Sequence, residues 1–298
     1  PAGAEPSRAA PAPPAPSAPA PAPTLGRSAA PPAAAPGRIA APDPALLEPG
    51  PHGPLPRIGA DGRLPRLAYA RSLPPGPLPR PAMAVVLGGL GLNHAVAEAA
   101  IATLPPDITL AFDPYAPRLP ALAEAARARG MEFLVSLPME PEGYPLHDPG
   151  PRALLTTLTP AQNEERLLWL LARLPGAIGA LGALGPLRGE RFAALPEPFE
   201  AMQAGLAARG LLYLDARPGA RAPTQVPGRA VDMLLDEVPS EAAIRRALAE
   251  LQALAAARGT AVGLVQEATP AAIAAIAGWA AALPAEGPAL LPLSALLR

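Results

Sequence analysis

Residues 84–93 read AVVLGGLGLN, an apolar run that passes into three closely spaced glycines and then into a helical pattern. A continuous run of Val and Leu is typical of a strand buried in a parallel sheet. Gly88, Gly89 and Gly91 predict a tight turn between this strand and the next helix. The turn does not match a dinucleotide-binding loop, because His94 stands where that motif needs its third glycine.

Apolar runs and helical patterns continue to alternate up to the C-terminus. This alternation favours a parallel sheet covered by helices. It leaves two closures open, a doubly wound sheet and a (β/α) barrel. The predicted strands are 82–87, 108–112, 132–137, 177–181, 211–215, 230–235, 261–265 and 289–291. The predicted helices are 93–104, 117–129, 160–174, 198–209, 240–258 and 270–283.

Residues 1–80 differ in composition from the rest of the chain, because they hold 23 of its 47 prolines. Proline lacks the N–H that ladders and helix interiors require, and the segment offers few large apolar side chains for burial. We therefore predict a disordered, semi-extended linker over residues 1–80 and a folded domain over residues 82–298. We expect the linker to act as a tether between the domain and an anchor upstream of Pro1, and the sequence leaves open whether that upstream segment is a cleaved signal or a membrane anchor.

The overall composition excludes several classes of chemistry and partner. The net charge is -1, so the sequence carries no electrostatic signature of nucleic-acid binding and no such partner is expected. The chain has no Cys and no Lys, which excludes disulfides, thiolate nucleophiles, lysine Schiff bases and a P-loop. It has no run of 18 apolar residues that would predict a membrane span.

Three further stretches carry a family resemblance. Residues 110–117 read LAFDPYAP, residues 137–145 read LPMEPEGYP, and residues 148–151 read DPGP. Together with residues 84–93, they resemble the divergent polysaccharide deacetylase family of bacteria. The resemblance extends over residues 82–297. It implies an α/β fold, a distorted (β/α) barrel of about seven strands.

The resemblance also implies a metal-dependent chemistry whose side chains are missing here. Polysaccharide deacetylases typically bind a divalent metal through one Asp and two His, with a second Asp as base and a late His as acid. In this chain the aspartate pair corresponds to Gly88 and Gly89, and a histidine position corresponds to Ala183. Residues 265–268 read VQEA where relatives carry Gly-His-Pro. The resemblance therefore implies a non-catalytic descendant that uses no metal or other cofactor, although it leaves enzymatic activity open.

Several polar residues match the family pattern and give the candidate site. Glu140, Tyr144, Asp215 and Arg217 are predicted to line a ligand-binding cleft at the carboxyl ends of the strands. A structural ion pair is an equally weighted interpretation of Asp215 with Arg217. Glu140, Asp215 and Asp232 are the candidates for a catalytic acid/base pair in an enzyme that works without a metal.

The remaining polar candidates carry weaker signals. His94 and His147 have no sequence partner at the helical spacing of a metal site. They would form a metal site with Asp113 only if the fold brought the three together. Capping of a helix or loop is the favoured interpretation of Asp232 and Asp236.

The favoured function is a carbohydrate-binding or scaffold module whose partner is cell-wall carbohydrate. We expect it in the periplasm, or anchored in the inner membrane and facing the periplasm. One alternative is an active deacetylase or hydrolase with a relocated site. Another is a protein-interaction module, which predicts a filled barrel mouth and an exposed apolar patch elsewhere.

Overall fold

The computed structural model describes Gly3 and residues 37–79, 81–185 and 189–297. The strands are β1 (Leu47–Gly50), β2 (Gly53–Pro56), β3 (Ala82–Leu90), β4 (Thr109–Phe112), β5 (Phe133–Ser136), β6 (Gly179–Leu181), β7 (Leu212–Asp215), β8 (Gly228–Ala230), β9 (Met233–Leu234), β10 (Thr260–Val265) and β11 (Ala289–Leu290). The helices are α1 (Pro65–Ala68), α2 (His94–Thr103), α3 (Leu119–Ala128), α4 (Pro160–Ala172), α5 (Glu190–Ala194), α6 (Pro196–Ala208), α7 (Glu241–Arg258) and α8 (Pro270–Ala281). Short 3-10 helices cover Pro44–Leu46 and Leu293–Leu297.

A curled parallel sheet forms the centre of the fold. Its strands follow the order β8-β7-β6-β5-β4-β3-β10-β9, and β11 pairs with the start of β3. Strands consecutive along the chain are neighbours from β3 to β8, and the late strand β10 returns to lie beside β3. This cyclic order is that of a barrel, because a doubly wound sheet reverses its winding at an internal strand. The sheet forms a half-barrel, and the predicted α/β barrel class is confirmed.

One extended segment, residues 228–235, contacts both ends of the curled sheet. Its first part, β8, pairs with β7, and its second part, β9, pairs with β10. The partner changes between Val231, whose N–H donates to the carbonyl of Asp215, and Asp232, whose N–H donates to the carbonyl of Val262. The single strand predicted over residues 230–235 is therefore divided in two, because each half bonds to a different neighbour.

Gly88 and Gly89 lie within β3 rather than after it, and Gly91 follows the strand. The strand was predicted to end at Leu87, but it continues to Leu90, and its ladder with β4 shifts register between these two residues. Gly89 has a φ of +67°, a backbone conformation that residues with a Cβ rarely adopt. Glycine thus permits a bulge here, and the chain bends only afterwards, at residues 91–93.

Side chains of the curled sheet alternate between two apolar layers, as expected for strands. Ala84 and Val86 of β3 belong to an inner cluster to which the other long strands contribute one face. Met83 and Val85 point the other way, into the layer shared with the covering helices. Leu46, Tyr69 and Leu293 complete the inner cluster from segments outside the strands.

Residues 37–79 pack onto the half-barrel, so the predicted linker boundary at residue 80 is wrong. Ile39, Leu46, Leu55 and Tyr69 are buried, and β1 and β2 form a hairpin. A few well-placed apolar side chains suffice to anchor this segment, although its proline content is high. The remainder of the linker prediction, residues 1–36, lies outside the described residues except for Gly3.

The six predicted helices are all present, and their ends lie within two residues of the predicted ones. Side chains cap the first turns of α4, α7 and α8: Thr159 accepts from Gln162 N, Ser240 from Ala243 N, and Thr269 from Ala272 N. The short helices α1 and α5 were not predicted, because four or five residues show no measurable periodicity. Of the helices in the described ranges, none has both the length and the apolar character needed to cross a membrane.

Candidate functional site

A cleft of about 670 Å³ opens at the carboxyl ends of the strands. Loops that follow β6, β9 and β10 form its walls, together with the first turn of α7. Loops at this end of a barrel commonly form its binding site. The lining of the cleft includes Leu184, Asp236, Glu237, Ile244, Gln266 and Glu267.

Beneath this cleft, side chains at Gly88 and Gly89 would meet Leu184 and the backbone that follows β10. A Cβ added at Gly88 would lie 2.7 Å from Leu184 Cδ1 and 3.3 Å from the carbonyl oxygens of Val265 and Gln266. A Cβ at Gly89 would lie 2.9 Å from the Gln266 carbonyl oxygen, on a backbone that is already unfavourable for L residues. The apolar side chain of Leu184 therefore occupies the space beside Gly88.

The residues present do not fit the divalent metal that the family fold implies. Gly88, Gly89 and Ala183 offer no ligand atom, and Ala183 is buried at 4% exposure. Within the described ranges, no group of three or more His, Asp and Glu residues is arranged to hold a metal ion. His94 Nε2 pairs instead with Glu98 Oε1 at 3.2 Å, one turn along α2.

Asp236 fixes the wall of the cleft. Its Oδ2 accepts hydrogen bonds from the backbone N–H groups of Gln266 and Glu267, both at 2.9 Å. Its Oδ1 is buried and has no hydrogen-bond partner among the described residues. Gln266 Oε1 in turn accepts from Gly185 N at 3.1 Å, which joins the loop after β10 to the loop after β6. The capping role predicted for Asp236 agrees with these bonds, which hold a loop rather than a helix.

Glu140 lies under the surface, in a network separate from the cleft walls. It is 0% exposed, and its Oε2 accepts from the Thr156 hydroxyl at 2.6 Å and from the Thr156 N–H. Arg191 Nε lies 3.1 Å from Oε1, an ion pair without hydrogen-bond geometry. Glu140 was predicted to bind a ligand, but in the structure its carboxylate is engaged with Thr156 and Arg191.

Asp215 and Arg217 form an ion pair with each other, as the structural interpretation of these two residues predicted. Asp215 is 2% exposed, and its two oxygens accept from Arg217 Nε at 2.9 Å and Nη2 at 2.6 Å. The hydrogen bonds that Arg217 donates to Asp215 raise the pKa of Arg217 above its ordinary value. The guanidinium also lies over the Phe199 ring of α6, 5.5 Å from its centroid. The pair thus packs toward a covering helix.

Asp232 occupies the point where residues 228–235 change partner. Its Oδ2 accepts from Val262 N at 2.7 Å and from Arg229 Nη2 at 2.6 Å. Arg258 Nη1 lies 3.8 Å from the other oxygen. The carboxylate therefore bridges the two ends of the sheet, and this geometry is of the capping type rather than that of a catalytic acid or base.

Asp113, Tyr144 and His147 are held mainly by their own loops. Asp113 Oδ1 accepts from Tyr115 N at 2.8 Å, and burial raises the pKa of the Asp113 carboxyl. Tyr144 is half-buried, and His147 is exposed with its N–H bonded to the Gly143 carbonyl. The described residues do not bring Asp113, His94 and His147 together as metal ligands.

Sequence reasoning missed the residues that line the cleft most directly. Gln266 and Glu267 come straight after β10, where residues 265–268 were noted only for lacking a histidine. Their position directly after a strand was the available signal, because side chains there face the site end of a barrel. Leu184 follows Ala183 and gave no polar signal at all.

Comparison with known proteins agrees with the fold. A family model for divergent polysaccharide deacetylases matches residues 85–297. The crystal structure of an uncharacterized protein from Agrobacterium tumefaciens is similar, with a TM-score of 0.75 and 35% sequence identity, over 82% of this chain and 99% of that one. Among curated proteins, none matches this chain. With its half-barrel fold and a family match over most of its length, the chain belongs to the divergent polysaccharide deacetylase family.

Proposed function

We propose that this protein is a non-catalytic member of its family that binds carbohydrate in the cleft at the strand ends. The observation that carries the proposal is the side chain of Leu184 against Gly88, at the floor of a cleft that stays open above it. A site that has lost its ligand atoms and filled their space retains the shape for binding but lacks the groups for amide hydrolysis.

The lining of the cleft suits a saccharide. Gln266 and Glu267 provide amide and carboxylate groups for sugar hydroxyls, and Leu184 provides apolar surface for the carbon face of a ring. The family's name points to polysaccharide as the class of ligand. Cell-wall carbohydrate lies outside the cytoplasm, so the proposal includes a periplasmic location. The proline-rich residues of the predicted linker would suit a tether there.

The two alternatives have less support. The acid/base mechanism suggested by the sequence would need two of its three candidates as free carboxylates, but Glu140, Asp215 and Asp232 each lie against an arginine in a separate local network. A protein-interaction module predicts a filled barrel mouth, whereas a cleft opens at this end of the fold.

Titration with N-acetylated chitin oligosaccharides and peptidoglycan fragments tests the proposal. We expect binding, with no acetate released in the presence of added zinc. Gln266→Ala should weaken binding about three- to tenfold, because it removes one or two hydrogen bonds at the cleft. Gln225→Ala, at an exposed glutamine that does not line the cleft, is the matched control. Absence of binding to every oligosaccharide at millimolar concentration, or zinc-dependent acetate release, would overturn the proposal.

A further inference from the structure

The carboxylates that line the cleft differ from the other candidate carboxylates in whether an arginine lies beside them. Glu140, Asp215 and Asp232 are each paired with an arginine: Arg191, Arg217 and Arg229 respectively. Among the described residues, Asp236, Glu237 and Glu267 have no arginine or histidine partner within salt-bridge distance. The cleft therefore concentrates negative charge that the described part of the fold does not neutralise.

The loops that carry these carboxylates hold them beside the space that a ligand would occupy. The backbone N–H groups of Gln266 and Glu267 hold Asp236 in the wall, so it cannot swing away to find a cation. Glu237 and Glu267 are exposed on the loops after β9 and β10. These two loops are joined by the hydrogen bonds of Asp236 and line the same cleft, so a bound ligand meets carboxylates from both.

Helix N-termini offset only part of this charge. Ser240 and Thr269 cap α7 and α8 at the cleft, and each helix start carries about half a positive charge. Two such ends sum to about one positive charge, against three carboxylates. Negative charge therefore dominates among the described residues of the cleft, and a concave, partly apolar wall focuses its potential.

We propose that the cleft selects amino sugars that carry a free, protonated amino group over their N-acetylated counterparts. This inference rests on the carbohydrate-binding function proposed above and names the class of saccharide. An ammonium group gains Coulomb attraction from Asp236, Glu237 and Glu267, whereas a neutral acetamide does not. The protein would thus recognise the de-N-acetylated form of a polysaccharide, which is the kind of product that a deacetylase generates.

A pair of matched tetrasaccharides provides the test: fully de-N-acetylated glucosamine tetramer and fully acetylated chitin tetramer. Both are titrated by calorimetry near neutral pH with EDTA present, at low and at high salt. We expect the amino form to bind about fivefold more tightly at low salt, which is the upper range for exposed charge pairs. High salt should bring the two affinities together, because screening shortens the reach of the carboxylates.

Charge-neutral variants locate the effect. Glu237→Gln with Glu267→Gln should reduce the preference to less than about twofold, because Asp236 is then the one charged carboxylate left of the three. The affinity for the amino tetramer should fall by more than the affinity for the acetylated one. Glu250→Gln, at an exposed carboxylate on α7 that does not line the cleft, is the control and should change neither affinity. Equal affinities at low salt, or a preference for the acetylated form, overturn this inference while the carbohydrate-binding function stands. Absence of binding by either tetramer overturns both.

Discussion

Glu132 shows how a single buried carboxylate ties distant segments together. It is 1% exposed and accepts hydrogen bonds from Ser294 N at 2.8 Å, from the Thr109 hydroxyl at 3.2 Å and from Arg71 N at 3.2 Å. The donors come from the last 3-10 helix, from β4 and from the N-terminal segment. Burial raises the pKa of Glu132 above its ordinary value of 4.5, and the accepted hydrogen bonds oppose this only in part.

Replacing Glu132 with Gln should change how stability depends on pH. A folded-state pKa above the unfolded one means that the stability contributed by this group is fully present below about pH 4.5 and is lost as pH rises through the folded pKa. The free energy of unfolding of the wild type should therefore fall, relative to Glu132→Gln, as pH increases above about 4.5. Urea unfolding across this range measures the difference, and parallel curves for the two proteins would contradict it. Glu250→Gln serves as the exposed control.

At the same scale, the sequence could not distinguish ligand-binding carboxylates from structural ones. Asp215 and Asp232 have their arginines two and three residues away, so pairing could be anticipated from spacing. Glu140 meets Arg191, which lies far along the chain and approaches only after folding. Gln266 and Glu267 went unnoticed because they resemble no known motif, and their role depends on the loop that Asp236 holds.

At the scale of elements, capping residues at a helix's two ends help to fix where the helix begins and ends. The longest helix, α7, begins at Ser240, whose hydroxyl accepts from Ala243 N at 3.3 Å. It ends at Gly259, which has a φ of +84°, a conformation that glycine adopts readily. These signals lie within a few residues of each other in the sequence, so the helix was predictable almost to its ends.

Removing the cap of α7 should lower the stability of the whole domain. Ser240→Ala leaves a backbone N–H of the first turn without its side-chain acceptor, which costs about 1 kcal/mol. Chemical denaturation of both proteins measures the difference in the free energy of unfolding. Ser72→Ala, an exposed serine outside the helices, should change it by less than about 0.5 kcal/mol. A cost for Ser72→Ala as large as that for Ser240→Ala would show that the cap is unimportant.

Sequence patterns predicted the long elements and failed on features that tertiary contacts decide. The strands of the sheet were visible because both of their faces are buried, which produces uninterrupted apolar runs. The division of residues 228–235 depends on which neighbour each half meets, and no local pattern encodes that. The hairpin of β1 and β2 is stabilised by packing on α4. Its proline-rich sequence contains no local pattern that predicts this packing.

At the scale of the molecule, the N-terminal segment completes the interior of the half-barrel. Leu46 and Tyr69 lie in the same apolar cluster as the inner faces of β3, β7 and β10. Tyr69 also accepts a hydrogen bond from Asp43 N through its hydroxyl, at 2.9 Å. Residues 37–79 are therefore part of the domain's core, and the domain is larger than the family match over residues 85–297.

Truncating one side chain of this segment tests that conclusion. Leu46 is 0% exposed, so Leu46→Ala should lower the free energy of unfolding by about 2–5 kcal/mol. Leu67→Ala removes the same atoms from a leucine that is 51% exposed, and it should cost less than about 1 kcal/mol. Thermal and urea unfolding of both variants provide the comparison. Equal small losses would mean that the segment only rests on the surface.

The division of residues 228–235 between two neighbours also affects how the protein behaves in a crowded solution. A parallel sheet that ends in long unpaired strands offers its N–H and C=O groups to other chains, and this is a common route to aggregation. Here the terminal strands of the curled sheet, β8 and β9, are only three and two residues long. Each of these edges is thus too short for a strand of a second molecule to pair with it, so self-association through the curled sheet is disfavoured.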